Sequence, residues 1–384
     1  MERQELKNTE ALQARLRAQD IDLALITDED SIAYFAGAWG YLGMEFGRPT
    51  LMLVPADGPC ILITPLMETA MVAEMTWVDD VRSWEDGGDK EWDRVLAAAL
   101  GPDRAMQLGL ERFKVHARIS AFLSEAYPGA VQVDLSPTIG EIRMIKSADE
   151  IEIMRQAGQV AIAMVEAGKA ALGEGVPEYE VALAINAAGT RKAAGYLDGD
   201  GPGRFVSPTI HNLQVLQSGH DTSMVHRRSS VRQLRRGDPV YMCFCGMIDF
   251  KNYKLGFDRE FFIGSVTDEQ AGTYETTIAA QAAALQAIRP GVTAEDVHFA
   301  ANEVYREAGF AQGYRTGRAL GYSNLEKPEL KTGDKTVLEE GMTFAVDGGI
   351  TVAGEYGTRV GDSIVVTKDG YEFFTPYPKD LCVI

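Results

Sequence analysis

The chain has 384 residues, 46% of them hydrophobic, with a formal net charge of -19 and a pI near 4.8. That length gives apolar material for more than one packed core, and the acidic surface argues against nucleic-acid and anionic-membrane partners, whose charge it repels. No run of about twenty uninterrupted apolar residues occurs, so no membrane-spanning helix is expected, and Met1 to Asn8 is polar with no apolar leader core behind it, which reads as cytoplasmic.

The first third alternates strand and helix. Asp22 to Thr27, Thr50 to Val54, Cys60 to Thr64 and Gln107 to Leu110 are apolar runs of strand length. Glu91 to Leu100 and Val115 to Ala126 have helical spacing. Such alternation predicts a sheet covered by helices. Near Lys146 the pattern changes. Ser147-Ala-Asp-Glu150 has the form of a capping box, and Ile151, Met154, Ala157, Val160 and Met164 then form one apolar stripe. We place one domain at 1–145 and a second at 146–384. The second reads as α+β, with helices over 148–171, 177–193, 268–288 and 294–308. Strands are expected near 239–247, 258–264, 342–348 and 361–367, with Gly237-Asp238 and Glu340-Gly341 as the turns feeding two of them.

Cys60, Cys243, Cys245 and Cys382 are too few for a disulfide framework. Cys243 and Cys245 are a C-x-C pair, and two thiols alone do not make a zinc site. Neither GxGxxG nor GxxxxGK[ST] occurs, and the Gly-rich stretch Gly199 to Gly203 has no strand-to-helix context for phosphate.

Several segments in order resemble the creatinase/aminopeptidase P, or pita-bread, family. They are IKSADEIEIMRQAG, Ser218-Gly219 with His226 seven residues on, GDPVYM at 237–242 and FDREFFIG at 257–264. RTGRALG at 315–321, EEGMTFAVDGG and GTRVGDSIVVT complete the series. The resemblance covers 141–369 and implies an α/β N-terminal domain (creatinase N-terminal, ribonuclease H-like) plus an α+β pita-bread C-terminal domain. It also implies five metal-ligand positions. In this sequence they fall at Cys243 (Cys245 on the alternative count), Gly256, Arg318, Asp347 and Gly361, with Asp362 beside the last. Two divalent ions need several converging oxygen or nitrogen ligands. Two glycines offer none, and Arg318 brings a permanent positive charge. No metal and no other cofactor is therefore expected.

The same resemblance implies a rival chemistry, since creatinase is a metal-free member. His226 matches its catalytic histidine, Asp258 and Asp347 match carboxylates that hold a cationic substrate group, and Phe46-Gly47-Arg48 matches a segment that crosses a dimer to hold a substrate carboxylate. Arg318 would add to the anion-binding side, with Glu260 and Glu326 as further substrate-binding candidates. Both matching carboxylates are Asp where creatinase has Glu, and the hairpin at 247–255, with Lys251 and Lys254, is longer. A neutral His can move a proton between water and a leaving nitrogen, and carboxylates pair with an amidinium. The expected function is a metal-independent, creatinase- or ectoine-hydrolase-like hydrolysis of a non-peptide amidine or guanidine C–N bond in a small zwitterionic carboxylate, by a homodimer with shared sites. Two alternatives stand beside it: an Xaa-Pro-type metallopeptidase with altered ligands, and a non-catalytic binding module of the same fold.

Overall fold

The computed structural model describes residues 3–209, 215–244, 249–311 and 313–384. The chain divides into two compact units, Met1–Arg143 and Met144–Ile384.

The first unit is built on strands β1 (Leu23–Ile26), β2 (Leu51–Pro55), β3 (Ile61–Pro65), β4 (Asp80–Trp84), β5 (Met106–Leu110) and β6 (Ala130–Asp134), in the order β4-β3-β2-β1-β5-β6. Its helices are α1 (Gln4–Ala18), α2 (Glu29–Ala36), α3 (Tyr41–Phe46), α4 (Thr69–Met75), α5 (Trp92–Leu100), α6 (Ala117–Ala126) and α7 (Ser136–Met144). The central strands are buried along almost their whole length, which is why they read as continuous apolar runs and not as alternation. Leu25, Leu53 and Leu108 of the sheet pack with Trp92, Leu96 and Ile119 of α5 and α6. The expected strands and helices here appear within two residues of their predicted ends.

In the second unit the helices are α8 (Ala148–Ala171), α9 (Glu178–Ala194), α10 (Asp268–Ala287) and α11 (Ala294–Glu307). The capping box of Ser147 and Glu150 opens α8, and Thr267 with Gln270 and Thr293 with Asp296 open α10 and α11 the same way. The strands are β7 (Val215–Ser218), β8 (Pro239–Cys243), the short hairpin β9 (Asp249–Phe250) and β10 (Tyr253–Lys254), β11 (Asp258–Phe262), β12 (Gly317–Ala319), β13 (Glu326–Leu330), β14 (Thr343–Val352), β15 (Tyr356–Thr367) and β16 (Gly370–Phe373). The main sheet runs β13-β12-β14-β15-β11-β8-β7, with β16 paired to β15.

Two strands are longer than expected. β14 and β15 form one hairpin, paired from Thr343–Val365 to Val352–Tyr356. Gly348-Gly349 in its middle hides the strand from a propensity reading. Gly349 is needed there, because a Cβ would stand 2.2 Å from the Thr358 carbonyl oxygen. The strand expected over 239–247 is seen as β8; Cys245 lies outside the described residues.

One face of the sheet is covered by helices. The Cα of Gly168 in α8 lies against Met242, and Lys169 stacks over the Phe261 ring at 5.8 Å. Thr277 and Gln281 of α10 bond to Thr358 (2.6 Å) and Asp362 (3.1 Å). Gly158 of α8 packs so closely on the chain that an added Cβ would stand 1.8 Å from the Phe374 carbonyl oxygen. Gly158→Ala should therefore lower stability by about 1–3 kcal/mol in a denaturant melt, although alanine is the better helix former by about 1 kcal/mol. A variant as stable as the parent would contradict this packing.

Candidate functional site

The sheet face opposite those helices carries several of the residues expected to form the site. Residues directly opposite in an antiparallel ladder share a face. Register pairs Cys243 with Asp258, Asp258 with Gly361, and Gly361 with Asp347. The four positions thus form one row across β8, β11, β15 and β14. Glu260 lies on the same face one step along, opposite Tyr241.

Arg318 of β12 enters the end of the row. Its Nη1 donates to Asp347 Oδ2 at 2.6 Å and its Nε to the Asn324 carbonyl at 2.7 Å, and the residue is 7% exposed. Gly361 is bare because its neighbour fills the space: a Cβ there would stand 2.6 Å from Asp258 Oδ2. Gly256 is clamped by Ser363, whose Oγ accepts from its N–H (3.0 Å) and donates to its carbonyl (2.7 Å). Asp362 points the other way. It is fully buried between Arg259 (2.7 Å), Lys379 (2.9 Å) and Gln281, so it offers nothing to the row.

The two-metal centre implied by the family does not fit these residues. Two of its positions are glycines, the space at one is filled by Asp258, and the guanidinium of Arg318 holds Asp347 where a cation would compete for it. Among the described residues no group of three His, Cys, Asp or Glu side chains is placed to hold a metal ion.

Glu260 is 1% exposed. One carboxyl oxygen accepts from the Arg359 N–H at 2.9 Å, and the other is buried with no hydrogen-bond partner among the described residues. The Arg359 side chain turns instead to Ile350, Thr351 and Thr358. Burial pushes the Glu260 pKa up to about 8; the Arg359 N–H and charge pull the other way without reversing it.

The remaining predicted residues are scattered. His226 is exposed, on a segment tied to Gln217 of β7, whose side chain accepts from the Arg227 N–H at 2.9 Å and donates to the Met224 carbonyl. Glu326 is committed to a buried ion pair with Lys146 at 2.8 Å. Phe46, 61% exposed and edge-on to Tyr41, and Arg48, ion-paired to Asp86, belong to the first unit. Lys251 and Lys254 do lie on a hairpin, β9–β10, with Lys251 and Asn252 in left-handed backbone at its turn.

Sequence reasoning passed over Glu178. This fully buried carboxylate of α9 accepts from both Arg227 terminal nitrogens (2.9 and 2.6 Å), from Ser218 Oγ (2.6 Å), and from the Ser230 N–H and Oγ (2.9 and 2.7 Å). Burial alone would raise its pKa, but these bonds hold it below the usual carboxylate value. The clamp fixes the residues on both sides of His226. Its only trace in the sequence is an acid at the start of a helix.

Because folding lifts the Glu260 pKa above its ordinary 4.5, the stability this group contributes is complete below about pH 4.5 and is lost as pH rises toward 8. Glu260→Gln removes the titration. Its melting temperature relative to the parent should therefore climb between pH 5 and pH 8.5. A difference that stays constant over that range would contradict the burial of this carboxyl.

Residues 152–368 match the metallopeptidase family M24, and residues 9–145 match the creatinase/prolidase N-terminal domain. The chain is 30% identical over 384 residues to an agropine synthesis cyclase of Rhizobium rhizogenes, covering 95% of this chain and 94% of that one. It is 27% identical over 383 residues to an Xaa-Pro dipeptidase of Lactobacillus helveticus, covering 98% and 99%. The crystal structure of dipeptidase PepE from Mycobacterium ulcerans is 27% identical and superposes with a TM-score of 0.84 over 99% of this chain and 98% of that one. These matches overturn the expected amidine- or guanidine-type C–N hydrolase, since the proteins alike over the whole length are dipeptidases and a cyclase. The structure supplies a physical reason. Asp347, one of the two carboxylates expected to hold a cationic substrate group, is already neutralised by the chain's own guanidinium at Arg318. Matched across both of its domains, the chain belongs to the creatinase/aminopeptidase P pita-bread family of M24 metallopeptidases.

Proposed function

We propose that this protein acts on a dipeptide-sized ligand of the Xaa-Pro class, bound on the face of the second domain's sheet opposite α8 and α10. The observation that carries the reading is the row Cys243–Asp258–Gly361–Asp347 with Arg318 closing it, at the positions where the dipeptidase relatives' family places its centre. Amide hydrolysis needs a cation near the carbonyl oxygen, a base for water and a proton for the leaving nitrogen. In this row Arg318 supplies fixed positive charge, Asp258 a carboxylate acceptor, and Glu260 a carboxyl that keeps its proton up to about pH 8. His226 and, in a homodimer, Phe46 and Arg48 of a second copy are placed in this reading as ligand contacts.

A second reading is ring closure within a small ligand. It is favoured by the match to the agropine synthesis cyclase and by side chains that replace the family's metal positions.

The test is proline release from a panel of Xaa-Pro dipeptides. At least one should be cleaved. Arg318→Lys, which keeps the charge but loses the planar fork, should lower kcat/KM by about tenfold to a hundredfold, or 1.4–2.8 kcal/mol. If no dipeptide binds or is cleaved, or if Arg318→Lys cleaves as well as the parent, the dipeptide reading fails.

A further inference from the structure

The guanidinium of Arg318 is anchored at two points, to Asp347 through Nη1 and to the Asn324 carbonyl through Nε. A guanidinium is planar and its donors form a rigid fork. These two anchors therefore set its plane and the directions of its remaining N–H groups. Asp347 belongs to a strand of the row itself. Asn324 lies in the connection 320–325 between β12 and β13, which forms neither helix nor strand. Connections of that kind are ordinarily among the most mobile parts of a fold, and this one keeps its place only if other groups hold it.

The hairpin β9–β10 is one such support. The Lys254 N–H donates to the Gly321 carbonyl at 2.7 Å, and Lys254 Nζ donates to the Tyr322 carbonyl. The Tyr253 ring meets the Tyr322 ring edge-on at 4.8 Å. The Tyr253 hydroxyl donates to Glu150 Oε1, in the first turn of α8, at 2.8 Å. The buried Lys146–Glu326 ion pair is the other support. Glu326 Oε1 accepts from the Ser323 N–H at 3.2 Å, and a Cβ on Gly321 would stand 2.8 Å from Lys146 Cε. Tyr253, Tyr322 and Glu150 are buried as well. A line of contacts thus runs from the start of α8 through the hairpin to the carbonyl that holds Arg318. The proposed chemistry leaves this hairpin without a role.

We propose that Tyr253 and Lys254 are positioning residues for Arg318. By fixing the connection 320–325 they hold the Asn324 carbonyl where it sets the plane of the guanidinium at the end of the row. The effect on turnover rests on the dipeptide reading of the site; the placement of Arg318 does not.

Tyr253→Phe and Lys254→Met each remove a polar contact and keep most of the side chain's bulk. Lys251→Met is the control, since Lys251 sits at the hairpin turn with its ammonium over the Phe250 ring at 5.3 Å. A crystal structure of the double variant Tyr253→Phe/Lys254→Met should show Arg318 Nε more than about 3.5 Å from the Asn324 carbonyl oxygen, while Lys251→Met keeps that bond. Should the double variant not fold, Lys254→Met alone, at a partly exposed position, is read the same way. In proline release, Lys254→Met should lower kcat about tenfold and change KM by less than about twofold, because misorientation of a charged group is felt in the transition state. In an Arg318→Lys background, Lys254→Met should cost no further activity. Arg318 still bonded to the Asn324 carbonyl in the variant structure would overturn the proposal. So would a kcat loss just as large in the Arg318→Lys background, because the hairpin would then support the domain at large and not this side chain. A parent that releases no proline defeats the dipeptide reading alone, and the variant structures still decide whether the hairpin places Arg318.

Discussion

The site depends on the ion pair between Arg318 and Asp347. A guanidinium and a carboxylate about 4 Å apart attract by about 4 kcal/mol at the effective dielectric of a partly buried site, and here the contact is 2.6 Å with the arginine almost fully enclosed. Removing one partner of such a pair leaves an uncompensated charge, at a penalty of about 3–5 kcal/mol. The guanidinium places positive charge on Asp347, one of the family's metal-ligand positions. Other changes in the row fit around that substitution. Gly361 leaves room for Asp258, and Gly256 gives its backbone to Ser363.

The two faces of the second domain's sheet divide labour. On the helix-covered face, Arg259 bonds to Asp362 and to four backbone carbonyls, and Lys379 and Gln281 complete the coordination of Asp362. These polar groups hold sheet to helix and tail. On the other face Glu260 keeps an oxygen with no hydrogen-bond partner among the described residues, and the segment bearing His226 is held from outside by the Glu178–Arg227 clamp. Rigid support behind and unspent polar groups in front are what a binding face requires.

Much of this was legible in the sequence. The capping box at Ser147 marked the start of α8 because its side-chain bonds are local, and the order of weak motifs gave the pita-bread architecture. The glycine and arginine substitutions at the family's ligand positions could be read by counting. What could not be read depends on distant contacts. Nothing local says that Glu326 belongs to Lys146, that Asp362 faces the helices, or that Asp347 is neutralised by a residue 29 positions away. The mistaken creatinase-like chemistry arose there: Asp258 and Asp347 matched as single letters, while the partner that changes the charge of Asp347 sits on another strand. The long β14–β15 hairpin was shortened for a similar reason, since Gly349 is required by the approach of Thr358 and not by its own neighbours in sequence.

The account's central claim is that a side-chain cation has taken the place of metal at the heart of this site. Anomalous scattering from crystals grown with manganese tests it most directly. The account predicts Arg318 on Asp347 and no manganese peak within about 2.5 Å of the Asp258 or Asp347 carboxylates. A pair of peaks at those carboxylates, with Arg318 swung away, would contradict it.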